Sequence, residues 1–188
     1  MRIVLASKSP RRKELLSGLF SEFEIIASDA DEALPPKASP AECAAIIALR
    51  KGAAVAEKVG EEALVISSDT MVELDGEVLG KPASAADAHR MLSKLSGRQH
   101  NVHTGVAVCY KGRTFSGTDT TRVEFRRIAD GEIDEYIASG EPMDKAGAYG
   151  IQGLGGAFVV GYEGRFDTVV GLSLALTEQL VKEAKSLE

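Results

Sequence analysis

The sequence predicts an α/β fold around a mixed sheet. Three observations carry this. Apolar, strand-like runs alternate with helical segments along the chain. Serines stand at helix-capping positions ahead of three of those segments, Ser9, Ser39 and Ser84. Asp75-Gly76 lies between two β-rich stretches, a hairpin signal. With 188 residues the chain suits one domain, 1–188, with room for two lobes around a cleft, since domains run to roughly 150 residues. Its 44% hydrophobic and 27% charged residues are those of an ordinary folded protein. Such a chain buries roughly 70% of its unfolded surface and needs no disulfide or metal staple.

Residues 2–6 read as a short buried strand. Ser9-Pro10 then opens a helix, with proline at its first position and Leu15, Leu16 and Leu19 on one face. Residues 22–28 suggest a second strand, and 29–38, acidic with two prolines, a loop. Ser39-Pro40-Ala41-Glu42 has capping-box spacing and starts a helix that ends near Gly60. A central buried strand covers 63–68, and the Asp75-Gly76 hairpin follows. A helix from Ser84 stops at Gly97, and 99–110 and 114–127 alternate as two long antiparallel strands. Asp130 to Ser139 forms a helix, and a last one covers about 171–187. Between 140 and 156 lie six of the 19 glycines with no helical or strand period, a loop of the length that serves function or mobility.

With 22 Lys+Arg against 28 Asp+Glu, the net charge is −6, which argues against a nucleic acid polymer as partner. The longest apolar run, Cys43 to Leu49, is far short of the ~20 residues that a spanning helix needs, so no membrane role is read. Cys43 and Cys109 form no CxxC pair, and the N-terminus has too short an apolar stretch for a signal peptide. The compartment implied is the cytoplasm.

Positive charge is nevertheless concentrated. Arg2, Lys8, Arg11, Arg12 and Lys13 fall within the first 13 residues with no acidic residue among them. A buried strand leading into Ser7-Lys8-Ser9-Pro10-Arg11-Arg12 at a helix start makes an anion site from backbone N–H groups and guanidinium forks. The plainer alternative is a solvated basic helix start with Ser9 only a cap. Asp69-Thr70 directly follows the strand 63–68, at the carboxyl end where α/β sheets gather ligands, and a carboxylate there binds a divalent cation or orients a water. A turn-forming aspartate is the competing reading. Lys51 in its helix and Lys81, held between Gly80 and Pro82, are either further cations of the site or ordinary surface lysines, and Asp29, Asp31 and Glu32 serve either a metal or a solvated loop. His100 and His103 fall on opposite strand faces and cannot share one metal. Gly153-Leu154-Gly155-Gly156 leads into the strand-like 157–160 rather than a helix, which excludes a dinucleotide fingerprint.

Leu5-Ala6-Ser7-Lys8-Ser9-Pro10-Arg11-Arg12 followed by Glu14-Leu15-Leu16 resembles the opening motif of the Maf family of nucleotide pyrophosphatases. The resemblance continues through Asp31-Glu32, Lys51, Ser68-Asp69-Thr70, Leu79-Gly80-Lys81-Pro82, and Ser96-Gly97-Arg98 with His100, Thr104 and Gly105. It extends to Lys145-Ala146-Gly147-Ala148-Tyr149-Gly150-Ile151-Gln152-Gly153. It implies a mixed, strongly twisted sheet in two lobes with a central cleft, related to inosine triphosphate pyrophosphatases (Maf/Ham1-like). It implies hydrolysis of a nucleoside triphosphate between its α- and β-phosphates with a divalent metal, Mg²⁺ or Mn²⁺, in a homodimer. By position, Asp69 is then the catalytic acid/base, and Ser7, Arg11, Arg12, Lys51 and Lys81 hold the triphosphate. Glu32 and Asp69 serve the metal. Arg12, Thr70 and Gln152 match the branch acting on dTTP and UTP, and the Gln152 amide, donor and acceptor at once, suits the O4 and N3–H edge of uracil or thymine. The alternatives are a pyrophosphatase for another non-standard nucleotide, or a nucleotide-binding regulator of septum formation.

Overall fold

The computed structural model describes residues 1–186. The chain divides into two compact units. The first comprises Met1–Thr70, Thr104–Asp119 and the chain from Gly171 on, and the second Met71–His103 and Thr120–Val170.

In the first unit, β1 (Arg2–Leu5) lies parallel to both β2 (Glu24–Ile25) and the start of β3 (Ala63–Leu74), with Leu5 opposite Ile25 and Ile66. Parallel strands covered on both faces read as continuous apolar runs, and here successive residues face two separate cores. Leu5, Leu64 and Ile66 pack with Leu16 of α1 (Pro10–Ser17) and with Leu180 and Val181 of α6 (Leu174–Lys185). Val4, Ala6, Ala63 and Val65 pack with Val55 of α2 (Pro40–Val59). Strands β5 (Gln99–Tyr110) and β6 (Arg113–Phe125) give the strand order β2-β1-β3-β5-β6. The predicted caps form. Ser9 Oγ accepts from Arg12 N–H, and Ser39 and Glu42 close the reciprocal capping box. Helix α2 lies close against the sheet at two glycines: a Cβ on Gly52 would sit 2.6 Å from Ser67 Oγ, and one on Gly105 would fall on the Ala44 carbonyl.

In the second unit, the later part of β3 turns back through Asp75-Gly76 onto β4 (Glu77–Leu79), pairing Val72 with Leu79. Both turn residues have positive φ, 53° and 83°, as a two-residue hairpin of this hand requires. β6 pairs antiparallel with β7 (Val159–Glu163). Val72, Leu79, Phe125 and Tyr149 form one core with Leu92 and Leu95 of α3 (Ala85–Leu95) and with Ile133 and Tyr136 of α4 (Asp130–Ala138). A short α5 (Phe166–Val170) ends the unit.

Four expectations are revised. The strand expected at 63–68 runs to Leu74, and residues 72–74 of the extension find a new partner in β4. The strand expected at 22–28 pairs only at Glu24–Ile25. The segment 140–156 contains 3₁₀ turns at Glu141–Asp144, Ala146–Ala148 and Leu154–Phe158, which have no 3.6-residue period to betray them. The last helix starts at Leu174, capped by Ser173, and the part expected at residue 187 lies outside the described residues. No helix among the described residues is long and apolar enough to cross a membrane.

Candidate functional site

The first unit gathers Ser7, Arg12, Glu32, Lys51, Asp69 and Thr70. β1 ends at Leu5 while its parallel neighbour β3 continues, so Asp69 and Thr70 lie within a strand yet beyond the carboxyl end of β1. This corrects the expectation that they follow the strand's end. The opening left by β1 is filled by the Ser7 turn and the start of α1.

Because side chains alternate along a strand, Asp69 and Thr70 face opposite sides of β3. Ser67 and Asp69 face α2, where Ser67 Oγ donates to Ala48 O at 2.6 Å. Lys51 Nζ donates to Asp69 Oδ1 at 2.6 Å and also pairs with Glu32 Oε1 at 2.8 Å. The Lys51 and Asp69 side chains are only 12% and 13% exposed, against 60% for Glu32. Gly52, next in sequence, is what lets α2 approach closely enough for Lys51 to reach across. A partly buried pair of this kind is weak evidence for stability, since desolvation offsets the Coulomb gain, but it fixes the orientation of a carboxylate.

Ser68 and Thr70 face the other way, towards Arg12. The three nitrogens of that guanidinium are all used: Nε donates to Gly171 O at 2.8 Å, Nη1 to Ser7 Oγ at 3.4 Å and Nη2 to Thr70 Oγ1 at 3.3 Å. Thr70 Oγ1 is in turn 2.9 Å from Thr104 Oγ1, and Ser68 Oγ donates to Gly171 O at 2.8 Å. Gly171 has φ +127°, which side-chain-bearing residues rarely adopt. Burial pushes the Arg12 pKa down, Asp69 opposes that, and the charge of Arg11 adds to it. The first turn of α1 thus carries Arg11 and Arg12 and no acidic residue. Two cations at the positive end of a helix dipole are unfavourable alone and favourable beside an anion.

Of the acidic loop, only Glu32 reaches Lys51. Asp29 pairs with Lys58 at 2.9 Å, and Asp31 Oδ1 accepts from Ala33 N–H at 2.9 Å. Two carboxylates converging on one ammonium make an oxygen donor set that fits a hard divalent cation completed by phosphate oxygens. Among the described residues no cluster of three or more His, Cys, Asp or Glu forms an all-protein cage.

Lys81 and Gln152 belong to the second unit. Lys81 is exposed directly after β4, beside Gly80, whose carbonyl accepts from Gly147 N–H at 3.1 Å. Gln152 is exposed on a turn closed by Gly153 N–H to Gly150 O at 3.3 Å. His100 and His103 have different partners, Tyr149 Oη and Thr120 Oγ1, both at 2.8 Å. Residue reading gave no role to Ser68, Thr104, Gly171, Tyr136 or Glu141. Their partners, Gly171 O for Ser68, Thr70 Oγ1 for Thr104, and the Gly150, Leu154 and Gly155 N–H groups for Tyr136 and Glu141, are brought to them by the fold and leave no mark on residue type.

A match to the family described as Maf-like protein spans residues 2–184. The chain belongs to the Maf family. This Maf chain is 49% identical over 180 residues to a Vibrio cholerae protein named dTTP/UTP pyrophosphatase, covering 96% of each. It is 46% identical over 187 residues to a Bacillus cytotoxicus protein of the same name, covering 100% of this chain and 96% of the relative. Among solved structures, the Staphylococcus aureus Ham1 protein aligns over 100% of this chain and 95% of its own with a TM-score of 0.52 at 21% identity, a likeness of fold. The Maf chain therefore has the mixed α/β, Ham1-like fold expected of it.

Proposed function

We propose that this chain is a nucleoside triphosphate pyrophosphatase that hydrolyses dTTP and UTP at the α–β anhydride, giving the monophosphate and pyrophosphate. The relatives' shared name over almost the full chain supports the substrate class. The observation that carries the chemistry is Asp69, a nearly buried carboxylate oriented by Lys51 and set beyond the end of β1 where the basic α1 turn begins.

Asp69 takes the proton of the attacking water as the new P–O bond forms and the bridging P–O bond breaks, releasing pyrophosphate. Ser7, the α1 N–H groups, Arg11, Arg12 and Lys51 bind the triphosphate oxygens. In such transfers positioning and charge stabilisation supply most of the rate. For Lys81 as a phosphate contact, and for Gln152 with Arg12 and Thr70 as base-selective residues, the support is the motif resemblance and the chemistry of the side chains. Glu32 and Asp69 are the residues that would hold Mg²⁺ or Mn²⁺, which when bound neutralises phosphate charge. A cytoplasmic homodimer acting on free nucleotides completes the proposal, and the net charge of −6 supports setting nucleic acid polymers aside.

The test is pyrophosphate release from each common triphosphate in Mg²⁺ or Mn²⁺, with the parent and Asp69→Asn. Release from dTTP and UTP, lost in Asp69→Asn, is the expected result. Binding of these nucleotides without turnover would favour a regulator, and undiminished release by Asp69→Asn would remove the catalytic assignment.

A further inference from the structure

The turn that carries Gln152 is braced from outside by one carboxylate. Gly150–Gly153 forms a β-turn in which Gln152 is the third residue. On its leading side, Tyr136 Oη of α4 accepts from Gly150 N–H at 3.1 Å and donates to Glu141 Oε1 at 2.9 Å. On its trailing side, the same Glu141 carboxylate accepts from Leu154 N–H at 2.9 Å and from Gly155 N–H at 3.2 Å. Glu141 therefore gathers donors from both flanks of the turn. The glycines of the segment are the space this needs. A Cβ at Gly153 would fall on the Glu141 carboxylate, and one at Gly155 would lie 2.6 Å from Tyr136 Oη. The Tyr136 ring is itself seated in the core, edge-on to Phe158 at 5.1 Å. Those donors hold the Glu141 pKa below its ordinary value although burial opposes this.

We propose that Glu141, acting through Tyr136 and the Leu154 and Gly155 amides, is the positioning residue that sets Gln152 for recognition of the uracil or thymine edge. This rests on the reading of Gln152 as base-selective. An amide reads a base edge only if its donor and acceptor are held close to the productive geometry, and an exposed side chain on a glycine-rich turn obtains that from its backbone.

The test compares kcat and KM for dTTP and dCTP in the full-length parent, Gln152→Ala, Glu141→Ala, Glu141→Gln, Tyr136→Phe and the double variant Glu141→Ala/Gln152→Ala. Glu141→Ala is expected to raise KM for dTTP by about tenfold, the equivalent of one lost hydrogen bond, and to flatten the preference over dCTP. The effect should fall on KM and base preference more than on kcat. Glu141→Gln, which keeps an acceptor oxygen, should recover part of it, and Tyr136→Phe should reproduce part of it in a chain whose core is intact. In the Gln152→Ala background the Glu141 effect on preference should vanish, which a general loss of stability would not produce. If Gln152→Ala alters base preference while Glu141→Ala and Tyr136→Phe do not, the positioning role is overturned. If Gln152→Ala leaves preference unchanged, it is the underlying reading of Gln152 that fails.

Discussion

Lowering the pH from 7 to 5 should remove about 2 kcal/mol of folding stability through one side chain, His100. The ring is 3% exposed and packs edge-on against Phe125 and Tyr149, with centroids 4.9 and 5.4 Å away. Nε2 pairs with Tyr149 Oη at 2.8 Å, whereas Nδ1 is buried without a partner, so a second N–H on the charged ring would meet nothing that accepts it. Burial accordingly pushes the His100 pKa down from 6.5 to about 4, against the pull of Glu73. Between those values the unfolded chain holds a proton that the native chain does not, so stability rises with pH. The contribution is fully present above 6.5 and gone below about 4. The interval from 6.5 to about 4 is worth about 3 kcal/mol at 1.36 kcal/mol per unit, of which about 2 is lost by pH 5. Burial lowers the His103 pKa as well, in the same sense, so the parent's total loss will be larger. Urea unfolding of the parent and of His100→Gln at both pH values isolates the contribution of His100. The variant's loss between pH 7 and 5 should be about 2 kcal/mol smaller than the parent's. Equal losses in the two proteins would refute the assignment.

Further predictions concern the first unit. Gly105→Ala forces β5 and α2 apart at Ala44 and should destabilise by about 2 kcal/mol, lowering Tm by roughly 4–8 °C in calorimetry. Activity should fall with it, because α2 carries Lys51. Arg12→Lys replaces three separately aimed nitrogens by one and should raise KM for dTTP by about tenfold in steady-state kinetics, charge being retained. Chelation should abolish turnover and Mg²⁺ or Mn²⁺ restore it, with Glu32→Gln raising the metal concentration needed for half-maximal rate.

Local features of the fold were legible wherever chemistry is local. Ser9-Pro10 and Ser39-Pro40-Ala41-Glu42 mark helix starts because a hydroxyl satisfies a backbone N–H three residues on, and Asp75-Gly76 marks a hairpin because both residues tolerate positive φ. The end of β3 was not legible. Whether residues 72–74 continue as strand depends on β4 being there to pair with, which is not a property of those three residues. The 3₁₀ turns of 140–156 escaped because their order comes from Tyr136 and Glu141 rather than from a repeating pattern.

The same division holds for the site. Residue types alone named a carboxylate, a set of cations and a basic helix start, since phosphate chemistry demands those groups whatever the net charge. Only the tertiary structure decided that Lys51 stands between Asp69 and Glu32 and that Arg12 is held by the Gly171 carbonyl. These are relations between residues 18 to 159 positions apart, fixed by strand alternation and by how closely α2 approaches the sheet at Gly52 and Gly105. Composition and motif carry the chemistry a chain can perform, and packing decides which of its groups meet.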